Sequence, residues 1–199
     1  MNNYMLNRVI AVLAVSCVFA LAWTAADIPQ RHATLPADKP SDWMMIPVAG
    51  VRADQLRDDF DGARAGHRHQ ALDIMAARGT PVVAAVDGTI RKLFTSRAGG
   101  LTIYEFDRDG TMSYYYAHLD RYVAGLREGN EVKRGEVIGY VGSTGNAPAH
   151  APHLHFAITV LPPTKEWWKG QVIDPYPILM QRGVTRPASE PPLHLSGSN

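Results

Sequence analysis

The chain has 199 residues, 46% of them apolar, with 20 Lys+Arg against 19 Asp+Glu. Its length suits one domain plus tails, its apolar fraction excludes global disorder, and its net charge of +1 excludes a general attraction to nucleic acid or an anionic membrane. One cysteine excludes an intramolecular disulfide and a thiolate zinc site.

Residues 9–26 are an apolar run of 18 residues behind a weakly basic start, Arg8. As a helix the run would reach ~27 Å at ~1.5 Å per residue, short of the ~30 Å hydrocarbon core. With Ala20-Leu21-Ala22 as a small-x-small cleavage site, it reads as a secretory signal ahead of a permanent N-terminal membrane anchor. Cys17 reads as a small apolar member of this segment, since Ala14-Val15-Ser16 is a poor lipidation signal. Either way the rest of the chain is exported, to the periplasm or cell envelope. Residues 27–44 carry Pro29, Pro36 and Pro40 without periodicity and read as a linker; 183–199 read as a disordered tail. The domain is expected over 45–182.

Within it, 81–87 and 89–94 flank an Asp87-Gly88 corner and predict a strand–turn–strand hairpin. Residues 101–107 and 112–119, joined through Arg108-Asp109-Gly110, predict a second hairpin. Residues 131–142 and 153–160 supply further strands, and Arg121–Arg127 is the best helix candidate. β-branched and aromatic residues dominate these runs, so the expected fold is a mostly β, compact antiparallel sheet domain.

Six of the eight histidines (67, 69, 118, 150, 153 and 155) fall within one stretch of the chain. In His153-Leu154-His155-Phe156, strand alternation puts both histidines on one face and Leu154 and Phe156 in the core. Read as a strand, His69 to Ile74 puts His69, Ala71 and Asp73 on one face, with the small Ala71 leaving room for an ion. Two His and one Asp are a three-ligand zinc set with a fourth position open to water, the pattern of catalytic rather than structural zinc. His118 and His153 have no structural duty evident from sequence, and imidazoles beside such a centre suit metal-assisted hydrolysis. The glycine-rich run 139–145 has neither a G-x-S-x-G frame nor a phosphate-loop lysine and reads as a turn-rich loop.

Arg68-His69-x-x-x-Asp73, the block 76–88, Tyr116-Ala117-His118-Leu119, the block 135–146 and His153-Leu154-His155-Phe156 follow one another in an order and spacing that resembles the lysostaphin/LytM-type zinc metallopeptidases. The resemblance runs from about Phe60 to Leu179. It implies a lipoyl-domain-like β core with an open groove and one Zn2+ ion on His69, Asp73 and His155. His118 and His153 would be the catalytic pair, as base and transition-state stabiliser. The implied substrate is a peptide bond in the stem peptides or cross-bridges of peptidoglycan. One departure stands out: Ala71 replaces the glycine the family usually carries between the first His and Asp.

Two other readings compete. A non-catalytic periplasmic module that binds wall or activates an amidase would use the same groove, but all three ligands and both extra histidines are present. A biotinyl- or lipoyl-type carrier is suggested by 86–90 and 135–139, but Lys92 and Lys133 are poor sites for attachment. His67, His150, Arg64, Arg68 and Asn146 are marginal candidates for substrate contact, and His32 and His194 read as bystanders. Trp167-Trp168 reads either as a groove rim or as a loop packed back on the sheet.

Overall fold

The computed structural model describes residues 44–181, except Ala65 and the side chain of His67. The apolar segment 9–26 with Cys17, the linker residues before Met44, His32, His194 and the tail therefore lie outside the described residues. Among the described residues no helix is long and apolar enough to cross a membrane.

The domain is mostly antiparallel β, as expected. Two short strands, β1 (Ala63–Arg64) and β2 (His67–Arg68), form a small ladder of their own. The main sheet holds β3 (Leu72–Met75), β4 (Pro81–Val83), β5 (Gly88–Ser96), β6 (Gly100–Asp107), β7 (Met112–Tyr122), β8 (Glu131–Val132), β9 (Val137–Val141), β10 (His153–Val160) and β11 (Gln171–Ile173). Its main path runs β11-β10-β7-β6-β5-β8; β3 lies on β10, and β9 bridges β4 and β7. Every pairing is antiparallel.

Two strands organise the molecule. β10 pairs along one edge with β7 and along the other with β3 and then β11. β7 pairs with β10 up to Ala117 and with β9 from Leu119 onward. His118 sits at this split. Alternation explains the core: Leu72 and Ile74 of β3, Leu154, Phe156 and Ile158 of β10, and Met112, Tyr114 and Tyr116 of β7 are all 1% exposed or less. Each such side chain contributes about 1.5–3 kcal/mol on burial.

Three expectations need correction. The strands on either side of Asp87-Gly88 form, but not as a hairpin: β4 pairs with β9, and β5 with β6 and β8. Gly88 is needed for close approach rather than for a tight turn, because a Cβ there would lie 2.2 Å from the Phe106 carbonyl oxygen. The helix expected over 121–127 is absent; β7 runs on to Tyr122, and Gly125 then takes a left-handed φ of +83° that ends any helical path. A short helix, α1 (Pro175–Met180), forms instead. Asp174 caps it by accepting from the Tyr176 N–H at 2.9 Å, and Ile178 and Leu179 face the core. Six residues are too few to show a helical period.

The core also encloses a carboxyl group. Glu105 is fully buried; its Oε2 accepts a short hydrogen bond from the Tyr116 hydroxyl, which itself accepts from the Ala85 N–H at 2.8 Å. Its Oε1 has no partner among the described residues. Burial pushes the acid up to about 8, against the opposing pull of the Tyr116 hydrogen bond. Between its ordinary value near 4.5 and about 8, the folded chain holds one more proton than the unfolded chain. Stability attributable to Glu105 is therefore complete at the acid end of that window and falls as pH rises through it. Glu105→Gln is expected to flatten this decline, read from urea midpoints at the two ends of the window; an unchanged slope would contradict it.

Candidate active site

His153 and His155 project from one face of β10 while Leu154 and Phe156 enter the core, as alternation requires. Asp73 lies directly across from His155 in the β3–β10 register, so the two side chains share that face.

His69 arrives by another route. It lies before β3 rather than in it, correcting the reading of 69–74 as one continuous strand. The intervening Gln70 has a left-handed φ of +54°. The segment 59–62 holds His69 in place: the His69 N–H donates to the Gly62 carbonyl and the Gln70 N–H to the Phe60 carbonyl, each at 2.8 Å, with Phe60 buried. Ala71 is fully buried.

The three side chains converge. His69 Nε2 is 2.9 Å from Asp73 Oδ1 and 3.1 Å from His155 Nδ1, and that nitrogen is 3.0 Å from Asp73 Oδ1. A tetrahedral ion with ~2.0–2.1 Å bonds would have ligand atoms about 3.4 Å apart, so a slight opening of the cluster accommodates zinc. The outer atoms are held as well. His69 Nδ1 lies 3.0 Å from the Asp59 carbonyl oxygen, which takes its N–H and leaves Nε2 as the donor atom. Arg64 binds Asp73 Oδ2 at 2.9 Å, directing Oδ1 into the cluster. Burial disfavours a charged His69, but the Asp59 and Asp73 carboxylates outweigh it and raise it to about 9. Burial likewise works against the Asp73 anion, yet hydrogen bonds from His155 and His69 hold it well below the usual carboxylate range. Two imidazole nitrogens and a carboxylate oxygen facing one another thus call for positive charge between them. The donor set fits zinc, with no sulfur and no crowd of oxygens.

His118 is aimed by a β-bulge. Plain alternation would send it inward behind Met112, Tyr114 and Tyr116. Instead its φ is +60°, and Ile103 and Leu101 of β6 pair with Tyr116 and Leu119 of β7, so β7 carries an extra residue here. Leu119 takes the core position, and His118 turns to the other face. Two loops fix it: its N–H donates to the Gly99 carbonyl, and its Nδ1 lies 2.8 Å from the Thr144 carbonyl oxygen. These loops are themselves joined by Asn146 N–H to the Ala98 carbonyl and by the Thr144 hydroxyl, which contacts both Leu101 and Leu119. Burial chiefly, with repulsion from His155 and His153, lowers His118 to about 4 despite the Thr144 carbonyl, so its ring is neutral at neutral pH.

His153 Nδ1 is held by the Ala151 carbonyl at 2.9 Å, and its Nε2 lies 3.7 Å from Asp73 Oδ1. The His118 ring is 5.0 Å from that of His153 and 5.5 Å from that of His155. All five residues line one open cavity of about 630 Å³, shared with Arg64, Met75, Tyr115 and Asn146. His150 is exposed outside this lining, and Arg68 pairs with Asp61 at 2.8 Å. Asp59 escaped the sequence reading because its approach to His69, by its carbonyl at 3.0 Å and its carboxylate at 3.4 Å, follows from the path of the 59–62 segment and belongs to no motif. Arg64 was visible only as a solvated cation or carboxylate reader.

Arg64→Ala is expected to weaken zinc binding about 10–100-fold by freeing the outer oxygen of Asp73. Competition with a chromophoric chelator measures this; unchanged affinity would show that the pair is incidental.

Comparisons with known proteins place the fold and the family. The peptidase family M23 model matches residues 67–175. The chain is 35% identical over 119 residues to the glycyl-glycine endopeptidase ALE-1 of Staphylococcus capitis, covering 59% of this chain and 31% of that one. It is 35% identical over 116 residues to the L-Ala--D-Glu endopeptidase of Bacillus subtilis, covering 56% of this chain and 34% of that one. The chain thus spans about a third of the length of these curated relatives. The structure of lysostaphin from Staphylococcus simulans superposes with a TM-score of 0.53 at 30% identity, over 70% of this chain and 56% of that one. With more than half its length matched and the fold shared, the chain belongs to peptidase family M23.

Proposed function

We propose that this protein is an exported zinc endopeptidase that hydrolyses peptide bonds in peptidoglycan. The observation that carries the reading is the convergence of His69, Asp73 and His155 beside His118 and His153 in one groove. Relatives named as glycyl-glycine and L-Ala–D-Glu endopeptidases support the substrate class. His69 Nε2, Asp73 Oδ1 and His155 Nδ1 would hold one zinc ion. Bound there, zinc supplies Lewis acidity that polarises a carbonyl oxygen and makes hydroxide accessible near neutral pH.

The chain's own residues do the rest. Neutral His118, its Nδ1–H committed to the Thr144 carbonyl, accepts the proton of the attacking water at Nε2. The water oxygen bonds to the peptide carbon, the carbon–nitrogen bond breaks, and the proton passes to the departing amine. His153, with its Nδ1–H held by the Ala151 carbonyl, presents Nε2 to the groove; in the doubly protonated form it would donate from there to the peptide oxygen as negative charge grows on it. The Asp59 carbonyl and Arg64 keep His69 and Asp73 from rotating away.

Zinc analysis of the purified full chain, paired with digestion of isolated sacculi, tests the proposal. One zinc per chain and release of peptide-cleaved fragments are expected; absence of both would refute it. Export by the segment 9–26 is tested by fractionating a C-terminally tagged chain, with cytoplasmic retention as the contrary result. A purely activating role predicts full cellular function from His118→Ala; the complete ligand set and both further histidines weigh against that.

A further inference from the structure

The face of the sheet that carries the metal triad does not end at the groove. From His155 it continues across β7, β6 and β5 as a row of aromatic rings. Tyr115 lies edge-on to His155 at 6.1 Å and packs on Tyr104 at 4.6 Å. The β10–β11 loop folds Trp167 onto this row, 4.6 Å from Tyr104 and 5.5 Å from Phe94. Trp167 in turn holds Trp168 at 5.1 Å. Trp167 is therefore a packed residue, while Trp168 and Phe94 are left open, 58% and 40% exposed. Tyr115 belongs to both regions: it lines the groove, and its hydroxyl fits against Gly99, where a Cβ would lie 2.2 Å away.

We propose that Trp168 and Phe94, supported by Trp167 and Tyr104, form a saccharide-stacking shelf that receives a pyranose ring of the glycan strand while the attached peptide lies in the groove. The inference rests on the endopeptidase reading. Three observations favour this occupant. The shelf is continuous with the groove through Tyr115, so one branched molecule reaches both. Its edge is charged: Glu166 and Lys169, ion-paired at 2.8 Å, flank the two tryptophans in the chain. A pyranose matches that arrangement, with axial C–H groups for the rings and hydroxyls for the edge. Two partly exposed rings, at most ~150–250 Å² each, also fall far below the ~800 Å² per partner of a stable protein interface.

The test compares the full, zinc-loaded chain with its Trp168→Ala variant on two substrates: a cross-linked disaccharide-peptide and the same peptide stripped of sugar. Trp168→Ala is expected to raise KM about fivefold on the first and to leave the second unchanged, with Trp168→Phe restoring the difference. In parallel, a soluble N-acetylhexosamine oligomer should perturb the tryptophan fluorescence of the wild type and not of Trp168→Ala. An equal effect on both substrates, no effect on either, or no fluorescence response in the wild type would overturn the proposal. So would selective loss of binding to phosphatidylglycerol vesicles, which would assign the rings to a lipid surface. If the wild type cleaves neither substrate, the endopeptidase reading fails, while the oligomer titration still decides the shelf.

Discussion

Asp73→Ala is expected to abolish zinc binding and to lower kcat/KM on peptidoglycan peptides by at least about 10³-fold. Asp73 is the hub of the cluster: its Oδ1 lies 2.9 Å from His69, 3.0 Å from His155 and 3.7 Å from His153. Its removal takes away the anionic donor and leaves imidazoles facing one another without a counter-charge, so the remaining pair of nitrogens holds zinc weakly. Arg64 loses its partner as well. The effect should therefore exceed that of Arg64→Ala, which frees the outer oxygen but spares the donor. Elemental analysis gives the stoichiometry, and hydrolysis of a defined cross-linked peptide gives the rate. A variant that keeps one zinc and measurable turnover would remove Asp73 from the metal site. The fold should survive, because Asp73 faces the groove while its neighbours Leu72 and Ile74 remain packed in the core.

His118→Ala should give the opposite pattern in metal content: one zinc retained, with kcat reduced about 10²–10⁴-fold and KM little changed. His118 touches none of the three donor atoms at bonding distance, yet its ring stands 5.5 Å from that of His155. Its neutral form and its fixed Nδ1 partner suit it to accept a proton at Nε2. Because the backbone here is left-handed, His118→Asn is the companion variant, since Asn tolerates that conformation and lacks a comparable base. Loss of zinc in both variants would make His118 structural. Full activity in either would exclude it as the base.

The β10 strand was legible from sequence because alternation is a local property: four residues suffice to separate His153 and His155 from Leu154 and Phe156. The second hairpin was legible for the same reason, with β6 and β7 joined by a short Asp-Gly turn. The first apparent hairpin was not, since strand pairing is a long-range choice and β9 competes for β4. The converging set of His69, Asp73 and His155 was legible as residue types in order, but the path by which His69 reaches it was not, because that depends on hydrogen bonds to the Gly62 and Phe60 carbonyls and on the turn at Gln70.

By itself, the sequence determined the β character of the domain, the chemistry of the donor set and the faces of β10, all of which follow from residue type and a two-residue period. Tertiary structure alone decided the rest. The bulge at His118 reverses the face that alternation would assign, the Asp59 carbonyl and Arg64 orient His69 and Asp73, and Trp167 is packed down while Trp168 is left open. Each of these arises where segments distant in the chain meet, and a local pattern carries no information about which segments those will be.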